Sequence, residues 1–179
     1  PESGPIQGRF SISRGSVTAV ELVVVTLAEG DAVGRGECRP YPRYGESPAS
    51  VAAEIEVLAT RLGEGMGRAE LQGLLHPGAA RNALDCALWD LEAKLSGRPA
   101  WELAGLPAPQ PLVTAYTLSL DTPEAMARAA ALNASRPLLK LKLAGEGDLE
   151  RVAAVRQAAP ASRLIVDANE GWTVESYRA

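Results

Sequence analysis

LLKLKLAGEGDLERVAAVRQAAPASRLIVDANEGW, residues Leu138 to Trp172, is the stretch whose reading decides the fold. It holds two apolar runs of strand length separated by a helical pattern. Lys140 and Lys142 interrupt the first run, and Asp167 ends the second. In a strand, residues i and i+2 share a face, so both lysines point one way and Leu139, Leu141 and Leu143 the other. Strand, helix, strand implies parallel pairing through a right-handed crossover.

The same alternation extends on both sides. LVTAYTLSL (112–120) reads as a strand, and TPEAMARAAALNA as a helix with Thr122 as cap and Pro123 at its first position. TVESYRA starts another helix. Three βα units are therefore expected from Pro111 onward, the opening of a (β/α)8 barrel, which needs about 250 residues by itself. The chain of 179 residues is accordingly expected to be a fragment, or one half of a split protein.

Before that point the pattern differs. Val17 to Leu27 and Ala32 to Cys38 are apolar runs joined at Glu29, Gly30 and Asp31, a hairpin signal. RPYPRYGESPAS follows as an irregular loop of the kind that often carries function. A helix capped by Ser47 or Ser50 carries Val51, Ile55, Leu58 and Leu62. Residues 63–73 form a glycine-containing stretch before the next helix. A stronger helix presents Ala80, Ala83, Leu84, Ala87, Leu88, Leu91 and Leu95, and stops at Gly97. Small residues on that face permit close packing. GRPAWELAGLPAPQP is a Pro-rich connector. The expected organisation is α/β: an α+β capping domain over 1–110, then the first three βα units of a truncated TIM-like barrel over 111–179.

Composition narrows the function. With 18 basic and 22 acidic residues, the net charge of -4 argues against a nucleic-acid partner. No apolar run is long enough to span a bilayer, and no charged-then-apolar leader is visible. Cys38 and Cys86 have no metal-type spacing and are too few for a disulfide framework, which fits a reduced cytoplasm. A lone histidine, His76, argues against zinc sites built on histidine and against Ser-His-Asp catalysis. A metal here would be a hard ion bound by oxygen.

Alternating lysine and leucine also describes an edge strand with one wet face, and a carboxylate ending a strand also serves as a turn residue or helix cap. Taken together, Lys140, Lys142 and Asp167 fall at the C-terminal ends of successive parallel strands, where such folds bind ligands. A buried lysine disfavours its charged form and can act as a base. Beside a carboxylate able to bind a hard metal, it suits removal of a proton α to a carboxylate.

This joint pattern resembles the enolase superfamily, muconate-lactonizing subgroup. KLK (140–142) followed by VDANEGW (166–172) is similar to that subgroup's second- and third-strand signature. GAARNALDCALWDLEAKLSGRP (78–99) resembles its helix joining cap and barrel. RGS at 14–16 and ECRPYPRYGES at 37–47 resemble dipeptide epimerases acting on L-Ala-D/L-Glu. The resemblance implies an isomerase in which Lys142 is the acid/base and Lys140 helps hold the substrate carboxylate. It implies that Asp167 is one of three Mg2+ ligands and that Asn169 lines the site. Arg14 suits a glutamyl carboxylate, against the reading of an ordinary surface arginine. Thr117 either contacts substrate or packs, and Tyr41 and Tyr44 are lid contacts or loop anchors. The remaining metal ligands and a second lysine are expected from strands that these residues do not include. The fragment alone is then expected to be inactive, and the complete protein a homo-oligomer. Alternatives are an o-succinylbenzoate synthase or muconate cycloisomerase, or a non-catalytic fragment acting as an assembly partner.

Overall fold

The β-rich start reaches further than its apolar runs. The structure, a computed structural model, describes residues 1–178. Strands β1 (Glu2–Ile12), β2 (Gly15–Glu29) and β3 (Ala32–Cys38) form one sheet in that order. β2 and β3 pair antiparallel from Val23 opposite Cys38 to Glu29 opposite Ala32, and Gly30 takes the turn at φ 56°. β1 has no sustained apolar run. Its ESGPIQGRFSI carries Pro and two Gly, which a pattern-based reading scores as loop.

The helical part follows local chemistry. Ser47 and Ser50 both serve: each hydroxyl accepts from the other's backbone N–H, at 3.1 and 3.0 Å, a reciprocal capping box on α1 (Pro48–Glu56). The expected single helix through Leu62 is broken, with α2 (Ala59–Gly63) following after Val57 and Leu58. The glycine-containing stretch holds most of α3 (Arg68–Leu74), with Leu71 fully buried. Burial of one leucine outweighs the low propensity of the glycines around it.

α4 (Ala79–Ser96) ends on Gly97 at φ 68°. Its buried Ala83 and Ala87 face β3, where a Cβ added at Gly34 would strike the Ala87 carbonyl oxygen and one at Gly36 the Ala83 carbonyl oxygen. Helix and strand backbones thus meet with almost no side chain between them. Met66, Leu71, Leu84, Val23 and Val25 complete this core.

After the short α5 (Ala100–Leu103) the alternation begins: β4 (Tyr116–Leu118), α6 (Pro123–Leu132), β5 (Leu138–Lys142), α7 (Asp148–Ala158), β6 (Arg163–Asp167) and α8 (Val174–Arg178). β4 is shorter than the 112–120 expected from its apolar content. Only 116–118 find a partner in β5. The three strands form a parallel sheet in the order β4-β5-β6. Leu118, Leu139, Leu141 and Leu143 pack with Met126, Ala130, Val155 and Ala159 of the flanking helices.

The chain divides into two compact units. One comprises residues 1–5 and 19–110, the other residues 6–18 and the chain from Pro111 on. The tip of the β1–β2 hairpin therefore groups with the parallel sheet.

Candidate active site

Register places the charged groups. In the parallel β5–β6 pair, Lys142 lies opposite Asp167 and Lys140 opposite Ile165; across β4–β5, Thr117 lies opposite Lys140. Facing residues in a parallel ladder share a side, so Thr117, Lys140, Lys142 and Asp167 all project from the face away from the leucines. Lys142 Nζ donates to Asp167 Oδ2 at 2.7 Å, and Lys140 Nζ is 2.9 Å from the same oxygen. The Lys142 side chain is 9% exposed, and its ammonium sits 5.8 Å from the centroid of the Phe10 ring.

Lys142 above all, then Lys140, holds the Asp167 carboxyl well below the usual carboxylate range. Burial opposes this, and the Asn169 N–H, donating to Oδ1 at 2.9 Å, reinforces it.

The segment after β6 is bent by two consecutive left-handed residues, Asn169 (φ 49°) and Glu170 (φ 65°). That bend turns the Asn169 carbonyl toward the hairpin tip, where Ser13 Oγ donates to it at 2.9 Å and Arg14 Nη1 at 2.6 Å. Arg14 also lies 3.6 Å from Glu170. The Asn169 Oδ1 is buried and has no hydrogen-bond donor among the described residues. Tyr44 belongs to the first unit: it is 74% exposed and packs edge-on against Tyr41 at 5.6 Å.

Sequence reading did not single out Ser13, Phe10 or Asp148. Asp148, at the start of α7, is 7% exposed and accepts from Ala144 N, Gly145 N, Trp172 Nε1 and Arg151 Nη1. An acidic residue in a first helical turn is the only signal the sequence offers for it, and that signal suggests only a helix start.

Among the described residues, no group of three or more His, Cys, Asp or Glu side chains is placed to hold a metal. One carboxylate, Asp167, faces the lysines. By themselves these residues do not fit Mg2+, which requires further oxygen ligands. No helix among the described residues is long and apolar enough to cross a membrane.

Comparison with known proteins adds identity of sequence to this geometry. Residues 2–105 match the family model for the mandelate racemase / muconate lactonizing enzyme N-terminal domain. The L-Ala-D/L-Glu epimerase of Escherichia coli (strain K12) is 47% identical over 180 residues, covering 99% of this chain and 56% of that protein. A crystal structure of an enolase family member from Agrobacterium tumefaciens with homology to dipeptide epimerases, with bound sodium and L-Ala-L-Glu, is 53% identical with a TM-score of 0.94. The match covers 99% of this chain and 54% of that one. The dipeptide epimerase of Cytophaga hutchinsonii, complexed with Mg and D-Ala-L-Val, is 28% identical with a TM-score of 0.83, covering 98% of this chain and 51% of that one. The chain spans about half the length of the curated relatives it matches.

Proposed function

The chain belongs to the mandelate racemase / muconate lactonizing enzyme family, and on that premise we propose that the whole protein epimerises dipeptides of the Ala-Glu type. Lys142 takes the proton from the α-carbon of the C-terminal residue. The C–H electron pair moves into the adjacent carboxylate to give an ene-diolate, and a proton returned to the opposite face inverts the centre. Lys142 Nζ donates to Asp167; it acts as base only as the neutral amine, after giving one proton to solvent and turning its lone pair from that contact toward the α-carbon. Lys140, beside it on the same strand face, holds the substrate carboxylate. Arg14 receives the glutamyl side-chain carboxylate, as guanidinium binds carboxylate bidentately. Asn169 Oδ1, buried without a donor, accepts from a substrate N–H. Thr117 and Tyr44 are further candidates for substrate contact.

We include Mg2+ as cofactor of the whole protein, with Asp167 as one ligand. A divalent cation offsets charge accumulating on a carboxylate. The described residues supply too few ligands for it; of the proton steps, the abstraction rests on Lys142, and the acid that returns a proton to the opposite face is expected from the rest of the whole protein. The reading extends to a cytoplasmic location, in keeping with the free thiols of Cys38 and Cys86, and to a homo-oligomer of the whole protein.

The observation that carries the proposal is the 2.7 Å contact of Lys142 with Asp167 at the ends of adjacent parallel strands. It is tested by incubating the full-length protein with L-Ala-L-Glu in deuterated water. Deuterium is expected at the glutamyl α-carbon, and Lys142→Ala should slow its entry by about 10²- to 10⁴-fold. Entry at an undiminished rate in that variant would remove Lys142 from the reaction.

A further inference from the structure

A buried carboxylate has to be compensated, and the way Asp148 is compensated is informative. A carboxylate that merely starts a helix accepts from N–H groups of its own first turn. Asp148 instead reaches backward and outward. Its Oδ2 accepts from Gly145 N at 2.7 Å and Trp172 Nε1 at 2.7 Å, while Ala144 N lies 3.1 Å from Oδ1 and 3.2 Å from Oδ2. Its Oδ1 also accepts from Arg151 Nη1 at 2.9 Å. Burial alone would push its carboxyl up, but the bonds from Trp172, Gly145, Ala144 and Arg151 together hold it below its usual value.

Apart from Arg151, on the same helix, the donors come from two separate loops. Ala144 and Gly145 follow Lys142 by two and three residues, and Trp172 lies five residues beyond Asp167. Arg151 extends the junction, donating to the Glu146 carbonyl at 2.6 Å and the Asp121 carbonyl at 2.9 Å. One ion pair thus ties together the loops that follow β4, β5 and β6.

The two loops beside the lysines are joined elsewhere too. Leu143 N donates to the Asp167 carbonyl at 3.0 Å. Gly171 lies so close that a Cβ there would come within 2.9 Å of the Ala144 oxygen. Asp148 and Trp172 lie beside Leu143, Leu164 and Val166, on the leucine side of the sheet, so Asp148 does not touch the face that carries the lysines.

We propose that Asp148, with Arg151, is a positioning residue for the proton transfer: it sets the separation of the Lys142 amine and the Asp167 carboxylate by clamping the loops that continue their strands. This inference rests on the epimerase reading, and its test separates the two. The full-length protein is compared with Asp148→Asn, Trp172→Phe and the double variant. Three quantities are read: kcat and KM of α-proton exchange on L-Ala-L-Glu, the thermal midpoint, and the hydrogen exchange of the Trp172 indole N–H by NMR.

Asp148→Asn is expected to speed indole exchange by about 10-fold or more and to lower kcat by about 10- to 100-fold, with KM within about 3-fold, as for outer partners that orient a site. Trp172→Phe lowers kcat less, and the double variant is no worse than Asp148→Asn, because both changes break one junction. Unchanged indole protection in Asp148→Asn overturns the clamp. A released indole with wild-type kcat overturns the positioning role, as does strict additivity of the two changes. If Asp148→Asn does not fold, Trp172→Phe carries the same decision through its kcat and KM. Wild-type protein that exchanges no α-proton refutes the epimerase reading itself, and indole protection in Asp148→Asn still decides whether the clamp exists.

Discussion

Lys142 and Asp167 face one another across the last register pair of β5 and β6, and both Lys142 and Lys140 converge on a single oxygen, Asp167 Oδ2. Two ammonium groups therefore depend on one carboxylate. Asp167→Asn leaves both without a counter-charge on a half-buried face, which should lower stability by about 1 to 3 kcal/mol. Denaturant titration of the full-length protein checks this, and an unshifted midpoint would show that the pair carries no structural weight. Restoring stability by adding Lys140→Met to Asp167→Asn is the expected signature of like-charge repulsion.

Arg14 is held at the hairpin tip by the Asn169 carbonyl, with Glu170 3.6 Å away. If its guanidinium also receives a glutamyl carboxylate, Arg14→Leu should raise KM for L-Ala-L-Glu by about 10-fold or more, given the strength of hydrogen bonds to charged groups. KM for the neutral isostere L-Ala-L-Gln should move far less. Equal losses on both dipeptides would assign Arg14 to loop structure instead.

Gly36 meets the backbone of α4 at Ala83. The obstruction is a carbonyl oxygen of a helix, which cannot rotate away as a side chain would. Gly36→Ala should therefore cost about 1 to 3 kcal/mol or more through overpacking. The thermal midpoint reports this directly, and a neutral result would mean that strand and helix separate easily.

Acid should act through Asp148 as well as through Asp167. The Asp148 carboxyl is held below the ordinary value of 3.8 in the folded protein, so the unfolded chain binds the proton first. The stability it contributes is fully present above that value and is lost as pH falls below it, through the folded value. Thermal midpoints of wild-type protein should fall steeply below about pH 4, and Asp148→Asn, with no proton to take up, should show a shallower decline. Parallel curves would contradict this.

The sequence made the parallel sheet legible because buried strands and amphipathic helices differ in period, and β5, α7 and β6 keep those periods cleanly. The common face of Lys140, Lys142 and Asp167 follows from the same alternation once the strands are parallel. β1 was not legible: as the outer strand of its sheet it needs little apolar content, and its Gly and Pro mask it. α3 was hidden for a similar reason, since its seven residues depend on one buried leucine rather than on caps or a stripe. Asp148 escaped because its partner Trp172 lies 24 residues away and two others are backbone groups, which side-chain pattern does not encode. The turn of Asn169 and Glu170 into left-handed backbone was equally invisible, although Asn tolerates that region better than most residues.

That turn has a consequence for how the hairpin can vary. The acceptor for Ser13 and Arg14 is a main-chain oxygen, so no replacement at position 169 that keeps the bend can delete it. The tether is vulnerable from one end only. If Arg14 receives the substrate carboxylate, drift that retunes ligand preference there simultaneously loosens the segment trailing Asp167, so changes of taste and losses of turnover should arrive in the same variants.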